Sequence, residues 1–168
     1  MESENEEGWV QLGAPQSMLT QGHYDDARKS LDGWDARFRG TSGASYAKFL
    51  RADLLYRTSD YIQAAQIYSQ LSQTGSPALV RPLALAGEIA AQEMSGHLRE
   101  AQDLAQTFLD KYPDHFLTAQ TYMTQARLAE LAGNPAAAAA VYERVLLLYP
   151  NSPWAALAKS RSQILGKK

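Results

Sequence analysis

The sequence predicts an all-α fold: a solenoid of four helix hairpins with a C-terminal capping helix. Three observations predict it. Tyr112-Pro113 recurs as Tyr149-Pro150, 37 residues on, each pair following an apolar run. At the same spacing stand the turn residues Gly22, Ser59, Gly96 and Gly133. Five positions beyond each comes an alanine: Ala27, Ala64, Ala101 and Ala138. A fixed period of this size is the signature of stacked supersecondary units, so it takes precedence over any single motif.

The elements follow in order. The stretches "QGHYDDARKSLDGW", "TSDYIQAAQIYSQL", "MSGHLREAQDLAQTFL" and "LAGNPAAAAAVYERVLL" place apolar residues three and four apart, the spacing of an amphipathic helix. In register within them lie Leu31, Tyr68, Ala105 and Tyr142, then Trp34, Leu71, Phe108 and Val145. Ahead of three turns stands another helical segment, "KFLRADLLY", "LALAGEIAAQEM" or "MTQARLAEL". Each unit is therefore helix A, a tight turn, helix B and a longer connection. Gly133 suits the left-handed end of a helix A, with Asn134 as N-cap and Pro135 at the first helical position. Tyr-Pro marks the exit of helix B, since proline has no N–H to continue it. Ser76-Pro77 and Ser152-Pro153 are expected to open the third helix A and the last helix. A small residue at the repeated alanine lets helices A and B approach closely.

The expected layout is an acidic disordered tail over 1–7 and a single domain over 8–168. Its repeats span 8–44, 45–81, 82–118 and 119–152, and the cap helix spans 153–165. Pro15, at a place expected to be small, shortens or kinks the first helix A. Pro82 and Ile89 make the third a loose fit.

Composition excludes several functions. The 168 residues are 45% hydrophobic and 20% charged, as in an ordinary globular chain. A net charge of −2 argues against nucleic acid, which demands a basic face. With no cysteine, disulfides, thiolate metal sites and a cysteine nucleophile are excluded. "MESENEEGWV" has neither the basic nor the apolar region of a signal peptide. No apolar run reaches the roughly 18–20 residues of a membrane span, although a removed anchor is compatible with the sequence. His23, His97 and His115 show no metal-ligand spacing and are expected at the surface. No phosphate loop and no acid–base pair is evident, so neither cofactor nor metal nor catalysis is expected.

Gly133, Ala138, Tyr142, Val145 and Pro150, with Ala126 in the preceding helix, resemble the tetratricopeptide repeat, and the resemblance runs over residues 8–165. The usual period is 34; the 37-residue variant is similar to bacterial envelope members of that family. These are the Tol-Pal cell-division coordinator, the outer-membrane-assembly lipoprotein and the ancillary translocon subunit. The resemblance implies a periplasmic or periplasm-facing, membrane-anchored placement, with the cytoplasm as the alternative.

It also implies a concave groove, lined by helix A, that binds an extended peptide or partner helix. The groove places fall on Tyr46, Phe49, Asp53 and Tyr56 in the second copy, and Leu83, Ala86, Ala90 and Glu93 in the third. In the fourth they fall on Gln120, Met123, Arg127 and Glu130. Phe49, Ala86 and Met123 stand where a carboxylate-gripping relative would carry Lys or Arg, which argues against chaperone-tail binding. The stripe of Tyr46, Phe49 and Tyr56 has two readings, packing against the N-terminal copy or a partner-binding surface. Function divides likewise between an interaction scaffold and a self-assembling homo-oligomer.

Overall fold

A computed structural model describes residues 2–166 and holds ten α-helices and no strand among them. After α1 (Glu2–Gln11) come α2 (Gly13–Gln21) and α3 (Tyr24–Phe38), then α4 (Ala44–Arg57) and α5 (Tyr61–Thr74). They are followed by α6 (Val80–Met94) and α7 (Leu98–Lys111), α8 (Thr118–Leu131) and α9 (Pro135–Leu148), and last α10 (Ala155–Leu165). The all-α, tetratricopeptide-like class expected from the sequence is what the chain adopts.

The four turns are one structure repeated. Gly22, Ser59, Gly96 and Gly133 all have left-handed backbone, with φ of 80°, 67°, 81° and 75°. The N–H of the following residue reaches back five positions in every case: His23 to Met18, Asp60 to Leu55, His97 to Gln92 and Asn134 to Ala129, at 2.8–2.9 Å. This pattern satisfies carbonyls that a helix end would otherwise leave orphaned. A Cβ on Gly22, Gly96 or Gly133 would meet no atom within 4 Å. Glycine is favoured there by φ, not by crowding. Helix B then begins, with Asp60 Oδ1 accepting from Gln63 N and Asn134 Oδ1 accepting from Ala137 N.

The exits also repeat. Tyr112 has φ −130° and ψ 53°, Tyr149 φ −132° and ψ 51°, and each donates its N–H four residues back. A residue before proline is steered away from the helical region, and both tyrosines obey. The two Ser-Pro pairs act differently from expectation. Turns intervene, and α6 starts at Val80 and α10 at Ala155, two or three residues beyond each proline.

Ala27, Ala64, Ala101 and Ala138 are each 0% exposed. In register, Leu31, Tyr68, Ala105, Tyr142, Trp34, Leu71, Phe108 and Val145 are buried too. The chain divides into two compact units, the first ending at Ala91 and the second starting at Gln92, where a single domain was expected. Within these units the buried residues form local clusters and not one centre, as is usual where repeats pack on their sequence neighbours. One cluster runs from Leu12 to Leu54 and the next from Ala52 to Ala91. The last gathers Met123, Ala126, Ala138, Tyr142, Val145 and Ala158.

Where an acidic disordered tail was expected over 1–7, residues 2–7 belong to α1; Met1 lies outside the described residues. Glu2 and Glu4 sit in the first turn of α1, where carboxylates favour the helix dipole. Long-range ties hold the helix down: Trp34 Nε1 donates to Gly8 O at 2.7 Å, and Ser42 N donates to Asn5 Oδ1 at 3.0 Å. Pro15 does shorten α2, which has nine residues. It cannot donate to the carbonyl of Gln11, and the helical run breaks there, at Leu12.

Ala101 and Ala138 are fully buried, so Ala101→Leu and Ala138→Leu must overpack the core and are each expected to lose about 1–3 kcal/mol. Ala136, two residues before Ala138, is exposed, and Ala136→Leu should leave the melting temperature nearly unchanged. Thermal unfolding of the three variants checks this.

Candidate functional site

In the first unit, α4 carries Tyr46, Phe49, Asp53 and Tyr56 on one half-buried face. The aromatic residues form a stacked column. Trp9 lies on Tyr46 with ring centroids 5.7 Å apart, Tyr46 on Phe49 at 5.8 Å, and Phe49 against Tyr68 at 5.6 Å. Each such pair adds about 0.5–1.5 kcal/mol beyond the area it buries. Tyr56 meets Tyr61 edge-on at 5.3 Å. Asp53 accepts from Arg57 Nε at 3.0 Å. Burial first, then the nearby Asp53 carboxylate, pushes the Tyr46 hydroxyl above its ordinary pKa. Much of the stripe thus packs against residues of its own unit.

Tyr68 reaches this column only because Gly87 has no side chain. A Cβ at Gly87 would stand 2.6 Å from Tyr68 Cζ. The small place expected at position 89 holds Ile89, 3% exposed, so the space that Ala52 and Ala126 leave in their helices comes two residues earlier in α6. Gly87→Ala is expected to cost about 1–3 kcal/mol by overpacking, with a matching loss of near-ultraviolet tyrosine dichroism on the way to unfolding.

In the second unit, α8 and α9 with the start of α10 enclose a cleft of about 180 Å³. Met123 and Tyr142 form its floor, Trp154 and Leu157 its walls, and Gln120, Thr124 and Arg127 its rim. Gln120, Met123 and Arg127 were anticipated from the sequence. Trp154 and Leu157 were not, because they belong to the last connection and α10. Met123 is 7% exposed and Leu157 51%, so the cleft is apolar below and open above. Arg127 pairs with Glu93.

Glu130, also anticipated as a groove residue, is engaged otherwise. Its carboxylate accepts from the Tyr142 hydroxyl at 2.7 Å and from Arg161 Nε at 3.2 Å, with Arg161 Nη2 on its second oxygen. It latches α10 onto α8 and α9. The Arg161 hydrogen bond, opposed by burial and aided by Tyr142, holds the Glu130 carboxyl below its ordinary pKa. Burial and the bond to Glu130 push the Tyr142 hydroxyl up to about 12. The latch therefore stabilises the fold above the ordinary carboxylate range and is lost as pH falls through the lowered value. Denaturant unfolding of wild type and Glu130→Gln should show a gap near neutral pH that closes as pH falls below the ordinary carboxylate range.

Leu83, Ala86, Ala90 and Glu93 are half-buried along α6. His115 is not the plain surface residue expected. It is half-buried between Phe108 at 5.7 Å and Phe116 at 4.4 Å, and its Nδ1 accepts from Leu117 N at 3.2 Å. Burial lowers its pKa. Among the described residues no group of three or more His, Asp or Glu is placed to hold a metal ion. No described helix is long and apolar enough to cross a membrane.

Repeated helix hairpins, with an aromatic face in the first unit and a cleft in the second, define a helical-repeat protein. The tetratricopeptide repeat profile matches residues 16–77 and 94–153, and the chain belongs to that family. The unmatched stretch between them takes in most of α6, where Ile89 and Pro82 depart from the pattern. No curated protein matches the chain. Repeats of this family generally mediate protein–protein interaction or scaffolding, and the family is typically non-catalytic.

Proposed function

We propose that the chain is a non-catalytic interaction module that holds an extended peptide or a helix of another protein. The cleft of the second unit carries this reading. A volume of about 180 Å³ suits one large apolar side chain. Met123 and Tyr142 beneath it and Trp154 beside it supply the apolar contact, and Arg127 and Gln120 at the rim offer donors to the partner's backbone. Interfaces draw most of their affinity from a few such anchors in desolvated pockets, and extended or helical segments are the partners that present side chains one at a time. The 37-residue period and the Tyr-Pro connections support an envelope-associated, periplasm-facing placement in a bacterium, by resemblance alone.

Selection of a displayed random-peptide library on the wild-type chain tests the cleft. Enriched peptides are expected to carry one apolar anchor and to lose at least about tenfold in affinity for Leu157→Arg or Gln120→Trp, a change of about 1.4 kcal/mol. Both substituted residues are exposed, so melting temperatures should stay close to wild type. Equal binding to all three chains would refute the site.

A further inference from the structure

α1 is the most lightly embedded helix of the first unit. It buries only Gly8, whereas α3 buries Ala27, Leu31, Trp34 and Phe38. Its ties to the rest of the unit are specific and few. Glu7 pairs with Arg37 at 2.9 Å across an exposed surface. Trp9 stacks on Tyr46 and donates through Nε1 to Ser42 Oγ at 2.9 Å. Asn5 accepts from Ser42 N, and Gly8 O accepts from Trp34 Nε1. Gly8 lets the helix lie close: a Cβ there would stand 3.2 Å from Thr41 Oγ1 and 3.4 Å from Phe38 Cδ1.

Two further features matter. Leu12, 1% exposed, anchors the chain just after α1, and the helical run is interrupted there, beside Pro15. Beyond Trp9 the aromatic stripe continues along α4 through Phe49 to Tyr56, past the end that α1 covers. α1 itself, "ESENEEGWVQ", has four glutamates and no cation, and the face beneath it supplies Arg37 and two N–H donors.

We propose that α1 is a displaceable occupant, in cis, of a docking face on the first unit, and that the partner for this face is an acidic helix from another protein. The partner would present the features α1 presents: a carboxylate to Arg37, a residue without a side chain over Phe38 and Thr41, and an aromatic ring on Tyr46 whose N–H or O–H meets Ser42. This surface is separate from the cleft of the second unit, and the proposal stands or falls without it.

A bound strap reduces the apparent affinity for a competitor in proportion to the fraction open, and tethering gives it an effective concentration of about millimolar. The test uses the full chain and one probe, a fluorescein-labelled peptide of residues 2–11. Gly8→Leu unseats α1 while leaving every residue of the face intact. Fluorescence anisotropy should show Gly8→Leu binding the probe at least about tenfold more tightly than wild type. Adding Tyr46→Ala should return the affinity by a similar factor.

Amide exchange on the wild-type chain gives an independent reading, with α1 exchanging far faster than α3. Equal probe affinity for wild type and Gly8→Leu, or no binding to either at about 1 mM, would overturn the proposal. So would equal protection of α1 and α3. A wild-type dimer that Gly8→Leu converts to monomer would assign the face to α1 of a second copy instead.

Discussion

Two helices can lie in contact along an alanine only if the chain reverses within a few residues and still satisfies its backbone. The left-handed residue and the hydrogen bond five positions back meet that demand together. The turn reverses the chain, and the alanine five residues on is fully buried in every copy. Larger residues such as Trp34, Leu71, Phe108 and Val145 then fill the widening space further from the turn. All four copies share this pairing of backbone conformation and side-chain size.

Building from such hairpins has a chemical consequence. Each core cluster is local, so charged side chains find partners along helix faces and not in one enclosed centre. Arg51 bridges Asp32 and Asp35 between α3 and α4, and Glu130 joins α8, α9 and α10 through Tyr142 and Arg161. These carboxylates hold helices in place. Surface is left over for partners.

The parts of the fold legible in the sequence were those fixed by neighbouring residues. Left-handed glycine, the Asn134-Pro135 start and the Tyr-Pro exits are local chemistry, and the alanine follows at constant distance. Ser59 could be read as a turn only because the period placed it there. What escaped the sequence depends on residues far apart. α1 looks like a solvated acidic run, yet it is held by Trp34 and Arg37, 26 and 30 positions away. Trp154 and Leu157 became cleft walls because α10 folds back on α8 and α9. Glu130 was read as groove-lining because nothing near it announced Arg161, 31 residues on. Gly87 drew no notice in the sequence, and only the ring of Tyr68 shows why α6 needs a residue without a side chain there.

Because every hairpin carries its own closure, irregularities in one copy stay confined to it. Serine can replace glycine at position 59, proline can enter α2 at position 15, and Ile89 can take a small residue's place, while the other turns keep the same dihedral angles. A chain organised in this way can drift copy by copy, acquiring an unlike face on each hairpin, without renegotiating a shared interior.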